Sequence, residues 1–282
     1  MIQITISTYR RFWQFALAML CLANAKLPEG ARVQVIDDGS SDGSAQAKRR
    51  LLADLAERGI VHRYEFLATN GGKNALFARW MGEVLADPAI ELWLHQDDDL
   101  CYAADTLVRM VADYRHFLGR GVLYGFVNGW RDLRPHRCNG PLWRVRELGG
   151  ASFLQSRATL QSIGNFFADP VNRAGREEEV WEAYRRAAET LAFNRDDPYL
   201  IQHSANAESV LNGHQETWRD CWSRDLRTEQ LIEVPPYGVA ALRRAVDSGR
   251  LESFVRAAND RASEKVLLPP DVDISAEIAA AT

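Results

Sequence analysis

Three consecutive carboxylates, Asp97-Asp98-Asp99, follow an apolar run from Ile90 to Leu94. The run is too short for a helix and suits a buried strand. Buried parallel strands of α/β proteins deliver functional groups at their carboxyl ends, where the chain leaves the sheet. Three adjacent negative charges repel one another unless a cation sits among them. A hard divalent ion such as Mg2+ or Mn2+, holding a nucleotide's phosphates, is the usual partner of such oxygen ligands. Taken alone, the tripeptide also reads as a solvated acidic turn.

What sets it apart is the series of elements before it. Ile2 to Ser7 alternates as a strand does, and Thr8-Tyr9-Arg10-Arg11 opens a helix whose apolar face is Phe12, Phe15, Ala16, Met19 and Leu22. A second strand, Val33 to Ile36, ends in Asp37-Asp38-Gly39-Ser40-Ser41-Asp42-Gly43-Ser44, and the next helix carries Leu51, Leu52 and Leu55 before Gly59. A third strand, Val61 to Leu67, leads into Asn70-Gly71-Gly72-Lys73 and a helix faced by Leu76, Phe77, Trp80, Met81 and Val84. Strands alternating with helices at this spacing predict a parallel sheet of βαβ units. Their polar loops converge on one edge, so Thr8, Asp38, Lys73 and Asp97 to Asp99 belong together as a nucleotide-phosphate site.

Composition sets the limits. The 282 residues are 46% hydrophobic and 26% charged with a net charge of −4, enough for a real core and too acidic for nucleic acid as the main partner. The basic clusters Lys48-Arg49-Arg50 and Arg185-Arg186 are short and neighbour acids, which also argues against nucleic acid. Cys21, Cys101, Cys138 and Cys221 are far apart and read as reduced thiols. No signal peptide or membrane-length apolar run is recognisable, so the expected location is the cytoplasm.

Competing motifs are weaker. Gly39-Ser40-Ser41-Asp42-Gly43 matches a nucleophile elbow with Ser41 as nucleophile, but a hydrolase of that type needs more sheet before its elbow. The loop from Asp38 begins like a calcium loop, yet its twelfth position is Arg49 and not a bidentate Glu. No Walker loop surrounds Lys73, and no G-x-G-x-x-G follows the first strand.

Together, Thr8-Tyr9, the Asp37 to Ser44 signature, Asn70-Gly71-Gly72, Ala78-Arg79 and the acidic triplet resemble glycosyltransferases of the GT-A fold, most closely the large inverting family two. The resemblance covers about the first hundred residues. It implies a Rossmann-like, mostly parallel sheet flanked by helices, with a nucleotide-sugar half (1–101), an acceptor-side half (102–232) and a helical C-terminal extension (233–282) able to serve as an oligomer contact. It implies that Thr8, Tyr9 and Asp38 meet the base of a nucleoside diphosphate sugar, most simply UDP-linked, and that Lys73 and Arg79 meet base or diphosphate. The acidic metal motif is registered either as Asp97-x-Asp99 or as Gln96-Asp97-Asp98, with Asp97 and Asp98 near the nucleotide and Asp97 and Asp99 on Mn2+ or Mg2+. Arg79 reads equally well as a helix-borne ion-pair partner. The sequence departs from the family at Ser7, Arg10 and Trp80, where Pro, Asn and Asn are common.

In the second half, Ala104 to Leu118 reads as a helix faced by Leu107, Val108, Val111 and Tyr114. Val122 to Val127 and Leu142 to Val145 read as strands, Arg157 to Ser162 as a helix, and Glu177 through Tyr184 to Leu191 as another. The resemblance makes Glu177, Glu178 or Glu179 the general base, Glu178 foremost, and His203 a metal ligand. Acids at a helix start are also stabilised by the dipole with no further duty. Val239 to Val246 and Leu251 to Ala258 read as two amphipathic helices. The expected activity is transfer of a hexosyl or N-acetylhexosaminyl group to an acceptor hydroxyl. A sugar nucleotidyltransferase, a serine hydrolase and an inactive carbohydrate- or partner-binding relative are the rivals.

Overall fold

The structure is a computed structural model that describes residues 1–10, 12–41, 44–102, 105–125, 136–174, 177–194, 196, 199, 201–203, 224–225 and 230–231. The two helices expected beyond residue 233, residues 126–127 of the expected strand and Cys221 lie outside the described residues.

The first half alternates as its periodicity demands: β1 (Ile2–Thr8), α1 (Phe12–Asn24), β2 (Ala31–Asp37), α2 (Ser44–Glu57), β3 (Arg63–Phe66), α3 (Lys73–Ala86), β4 (Leu92–Asp97) and β5 (Leu100–Tyr102). After these come α4 (Thr106–Asp113), β6 (Val122–Tyr124), β7 (His136–Asn139), β8 (Leu142–Arg144), β9 (Ser152–Ser156) and α5 (Arg157–Ile163). The last are α6 (Pro170–Arg173), α7 (Glu177–Arg186), β10 (Leu191–Asn194), β11 (Ile201–His203) and the short pair β12 (Arg224–Asp225) and β13 (Gln230–Leu231). One nine-stranded sheet runs in the order β3-β2-β1-β4-β9-β6-β10-β8-β7. From β3 to β4 it is parallel, and β9 runs against both β4 and β6.

The order locates the site. Connections β1-α1-β2 and β2-α2-β3 step outward one way, and β3-α3-β4 returns past β1 to its other side. Since such crossovers are right-handed, α3 lies on the opposite face of the sheet from α1 and α2. The reversal between β1 and β4 is a topological switch point, where a crevice opens at the carboxyl ends of the strands. The register places Thr8 beside Asp37 and Ser7 beside Asp97 at that edge.

Packing follows from alternation. Ile2, Ile4 and Ile6 sit in register with Leu92, Leu94, Val33 and Val35 on one face, and all are buried. Each such side chain contributes about 1.5–3 kcal/mol relative to leaving it exposed. The other face carries Gln3, Thr5, Trp93 and His95, against which Phe77 of α3 packs edge-on, 5.9 Å from Trp93 and 4.8 Å from His95 between ring centres. Every apolar residue named from the sequence for α1, α2 and α3 is buried.

Three expectations change. The fourth strand extends through His95 and Gln96 to Asp97, because β1 and β9 pair with it on both sides. In α4 it is Met110 that is buried, while Val108 is 37% exposed. The α7 helix stops at Arg186, where Ala188 turns left-handed and the Glu189 amide bonds back to the Tyr184 carbonyl; Leu191 then belongs to a buried strand beside Val122.

Lys48 departs from its basic neighbours: its side chain is wholly buried and its ammonium donates to Asp37 Oδ2 at 2.9 Å, Thr8 Oγ1 at 2.9 Å and Ser40 Oγ at 3.1 Å. Three donors meet three acceptors, tying α2 to the ends of β1 and β2. Removing one partner of a buried pair leaves an uncompensated charge and costs about 3–5 kcal/mol. Lys48→Met is therefore expected to lower the unfolding free energy in urea by that amount. The exposed Arg50→Ala is expected to change it by less than about 0.5 kcal/mol. Equal effects of the two substitutions would contradict the assignment.

Candidate functional site

The loop after β2 holds the edge together. Asp37 accepts from the Ser40 amide at 2.8 Å and the Ser40 hydroxyl at 2.7 Å. Gly39 is left-handed (φ 73°), and a Cβ there would lie 2.5 Å from the Thr69 carbonyl carbon, so the two loops touch backbone to backbone.

Asp38 is the link across them. Its carboxylate is buried and accepts from the amides of Gly71 at 2.9 Å and Gly72 at 2.8 Å, while its carbonyl accepts from the Asn70 side chain at 3.2 Å. The acid expected to meet a base also shapes the Asn70–Gly72 loop. That loop launches α3 from Gly72 (φ 81°) and sets the direction of Lys73, the first helical residue.

Lys73 reaches Asp97. Its ammonium lies 2.8 Å from Asp97 Oδ1 and donates to Oδ2 at 3.1 Å and to the Gly150 carbonyl at 3.0 Å. The cation that three adjacent carboxylates call for is thus supplied in part by the chain itself. Asp98 and Asp99 form the turn into β5, and both are buried, at 1% and 8% exposure.

Asp97 is also fixed from below. The Trp93 indole N–H donates to Thr5 Oγ1 at 2.8 Å, and that oxygen lies 3.2 Å from His95 Nδ1. The other ring nitrogen, Nε2, lies 3.1 Å from Asp97 Oδ1 and donates to that carboxylate. Phe77, Phe153 and Trp80 box the ring at centroid distances of 4.8, 5.3 and 5.6 Å. Burial pushes the Asp97 carboxyl up, but the Lys73 ammonium and the His95 bond outweigh it and hold it well below the ordinary range.

The remaining candidates fall out differently. Thr8 is buried, with its hydroxyl on Lys48; Tyr9 is half-buried beside it. Arg79 points to the sheet edge, not to the triplet: it pairs with Glu65 through two bonds of 3.0 and 2.5 Å and with Glu83 at 3.3 Å. Those bonds raise the Arg79 pKa, and the bond from Arg79 lowers that of Glu65. Ser41 is exposed, and its hydroxyl accepts from the Arg10 guanidinium at 3.2 Å; among the described residues no histidine bonds to it. The backbone of His203 lies opposite Leu100 in the β5–β11 pair, one residue from Asp99. The α7 helix seats Val180, Trp181 and Tyr184 in the core, Trp181 edge-on to Phe153, while Glu179 is exposed. The side chains of Glu177, Glu178 and His203 lie outside the described residues.

Sequence reasoning missed Lys48, Asp37 and His95. The signal for Lys48 was its phase, since it lies one turn before the buried Leu51 and Leu52 on the same face of α2.

Among the described residues, no three side chains of His, Cys, Asp or Glu form a metal-binding cluster, and no helix is long and apolar enough to cross a membrane. Cys21 and Cys138 are free thiols.

The architecture is shared with known proteins. The chain is similar to the mannosyltransferase PcManGT of Pyrobaculum calidifontis, solved with GDP-Man and Mn2+, with a TM-score of 0.53 and 16% identity over 99% of this chain and 69% of that one. It is similar to S. aureus TarS with a TM-score of 0.51 and 18% identity, covering 70% of this chain but only 36% of TarS. No protein-family model and no curated protein sequence matches it. At these identities the likeness is one of fold, and the GT-A architecture expected from the sequence is the architecture found.

A carboxylate held below its ordinary pKa stabilises the fold above the unfolded value near 4 and loses that contribution as the pH falls through the folded value. Wild-type stability is therefore expected to drop more steeply than that of Asp97→Asn between about pH 5 and pH 3, followed by urea unfolding. Parallel curves would contradict the described ion pair.

Proposed function

We propose that the chain is a metal-dependent inverting glycosyltransferase that moves a sugar from a nucleoside diphosphate sugar, UDP-linked, to an acceptor hydroxyl. The observation that carries this reading is the placement of Asp97–Asp99 at the switch point between β1 and β4, with Lys73 directed onto it from α3. Acids and a lysine at one crevice suit a diphosphate and a hard cation, whereas the nucleotidyltransferase alternative lacks a glycine-rich loop after β1.

The donor set fits Mg2+ or Mn2+. Both prefer oxygen ligands, and Mg2+ is commonly held by one or two carboxylates with substrate phosphates completing the shell, not by an all-protein cage. Asp99 and Asp97 would hold it, with Asp98 beside the nucleotide and His203 completing the set from β11. When bound, such an ion offsets the charge that builds on a departing diphosphate.

The chain's own residues supply the rest. Lys73 carries a positive charge at the diphosphate end, and His95 keeps Asp97 oriented through its Nε2 proton. The Asp38-bound loop and the Lys48 cluster hold Thr8 and Tyr9 at the nucleotide's other end. In the transfer itself, the acceptor oxygen bonds to the anomeric carbon on the face opposite the diphosphate. The bond from that carbon to the phosphate oxygen breaks, and the acceptor's proton passes to a carboxylate of α7. We assign that role to Glu178, with Glu179 next and Glu177 third.

Release of nucleoside diphosphate from a panel of nucleotide sugars and hydroxyl acceptors tests the reading. Turnover is expected with Mn2+, and Asp99→Asn is expected to lose Mn2+-dependent nucleotide binding. Glu178→Gln is expected to bind nucleotide normally while turnover falls about a hundredfold or more. Near wild-type turnover in all three single Gln variants of α7 would remove that helix from the mechanism.

A further inference from the structure

Arg10 has a left-handed backbone, with φ of 55°. That conformation is costly for an L-residue other than Gly, Asn or Asp. It is imposed from below: the Arg10 amide donates to Ser40 Oγ at 2.6 Å, and that hydroxyl is held in turn by Asp37 and Lys48. Strain maintained by a buried network at the rim of a crevice is a reason to ask what the strained residue presents.

It presents a cation. The Arg10 guanidinium lies over the Tyr9 ring, 4.9 Å from its centre, and Nη2 donates to Ser41 Oγ at 3.2 Å. Among the described residues its Nε has no hydrogen-bond partner and the group meets no carboxylate. Among the described residues its hydrogen bonds and ring contact belong to the loops after β1 and β2, none to β4. In the sheet order β2-β1-β4, Arg10 therefore stands on the side of β1 away from the acidic triplet. Neighbouring strands are about 4.8 Å apart, so a nucleotide whose diphosphate lies at β4 carries its base across β1 toward this loop.

A guanidinium offers only donors, five of them, in a rigid plane. It pairs with carbonyl oxygens and unprotonated ring nitrogens and cannot satisfy an amino group. Asp38, the other group at this end, is an acceptor, so it cannot meet a base carbonyl; it holds the Gly71 and Gly72 amides. We propose that Arg10 selects the donor's nucleobase by donating to the carbonyl oxygen that uracil carries at C4 and guanine at C6. It thereby favours these bases over cytosine and adenine, which present an amino group at that position. The inference rests on the donor site proposed above and adds which bases that site admits.

Calorimetric titration of UDP, GDP, CDP and ADP in the presence of Mn2+, on the wild type and on Arg10→Gly, tests it. Glycine suits the left-handed backbone, so the variant keeps the loop, and a melting temperature no lower than wild type verifies this. Wild type is expected to bind UDP and GDP more tightly than CDP and ADP. In Arg10→Gly the affinity for UDP and GDP is expected to fall about tenfold or more while that for CDP and ADP stays level, so the preference collapses. An unchanged ranking, or an equal loss for all four that would mark a phosphate contact, overturns the assignment of Arg10 and leaves the donor site standing. A wild type that binds none of the four overturns the donor site itself, and the role of Arg10 with it.

Discussion

The buried pair between Lys48 and Asp37 is the constraint on which the carboxyl edge of the sheet depends. Two charges out of water are tolerated only when their geometry and remaining hydrogen bonds are complete. Here they are, through Thr8, the Ser40 amide and the Ser40 hydroxyl. The consequence is positional. The ends of β1 and β2 are locked to α2, Gly39 is pressed against the Thr69 backbone, and Arg10 is bent over the rim. An apolar pair of similar volume could replace the charges in energy, but it would not fix these loops relative to each other.

From that anchor the site extends by a succession of carboxylates, each with its own compensation. Asp37 has an ammonium, Asp38 has two backbone amides, and Asp97 has Lys73 and the His95 ring. Fixed partners hold the acids oriented before any ligand arrives, which is the condition for electrostatic preorganisation. Asp98 and Asp99 follow in the turn, where the chain leaves β4 and meets the register position of His203.

Much of this was legible beforehand, because the first hundred residues obey two simple periods. Ile2, Ile4 and Ile6 announced a strand, and Phe12, Phe15 and Met19 announced a helix, without help from tertiary contacts. The convergence of Thr8, Asp38, Lys73 and the triplet followed from the parallel topology alone. Harder to read were polar residues used internally. Lys48 sat in a basic cluster, and only its helical phase separates it from the exposed Arg49 and Arg50. His95 interrupts an apolar run and so ended the strand too early on paper, although pairing on both sides carries the strand through it. Arg79 is decided by Glu65, a residue fourteen positions away whose proximity only the β3–α3 packing creates. Beyond α5 the elements are short and their periodicity weak, and there the helix that begins at Glu177 ends at Arg186, five residues short of the Leu191 that its sequence suggests.

The central claim is that the crevice between β1 and β4 is a metal-assisted nucleoside diphosphate site. Thermal unfolding with Mn2+ alone, UDP or GDP alone, and both together measures this directly, without an acceptor or an assumed sugar. A ligand at a hundredfold excess over its dissociation constant stabilises a native protein by about 2.7 kcal/mol, which moves the transition by several degrees. The account predicts a shift with nucleotide and Mn2+ together that exceeds the sum of the separate shifts and that disappears in Asp99→Asn. No shift with either nucleotide, or a shift of equal size in that variant, would contradict it.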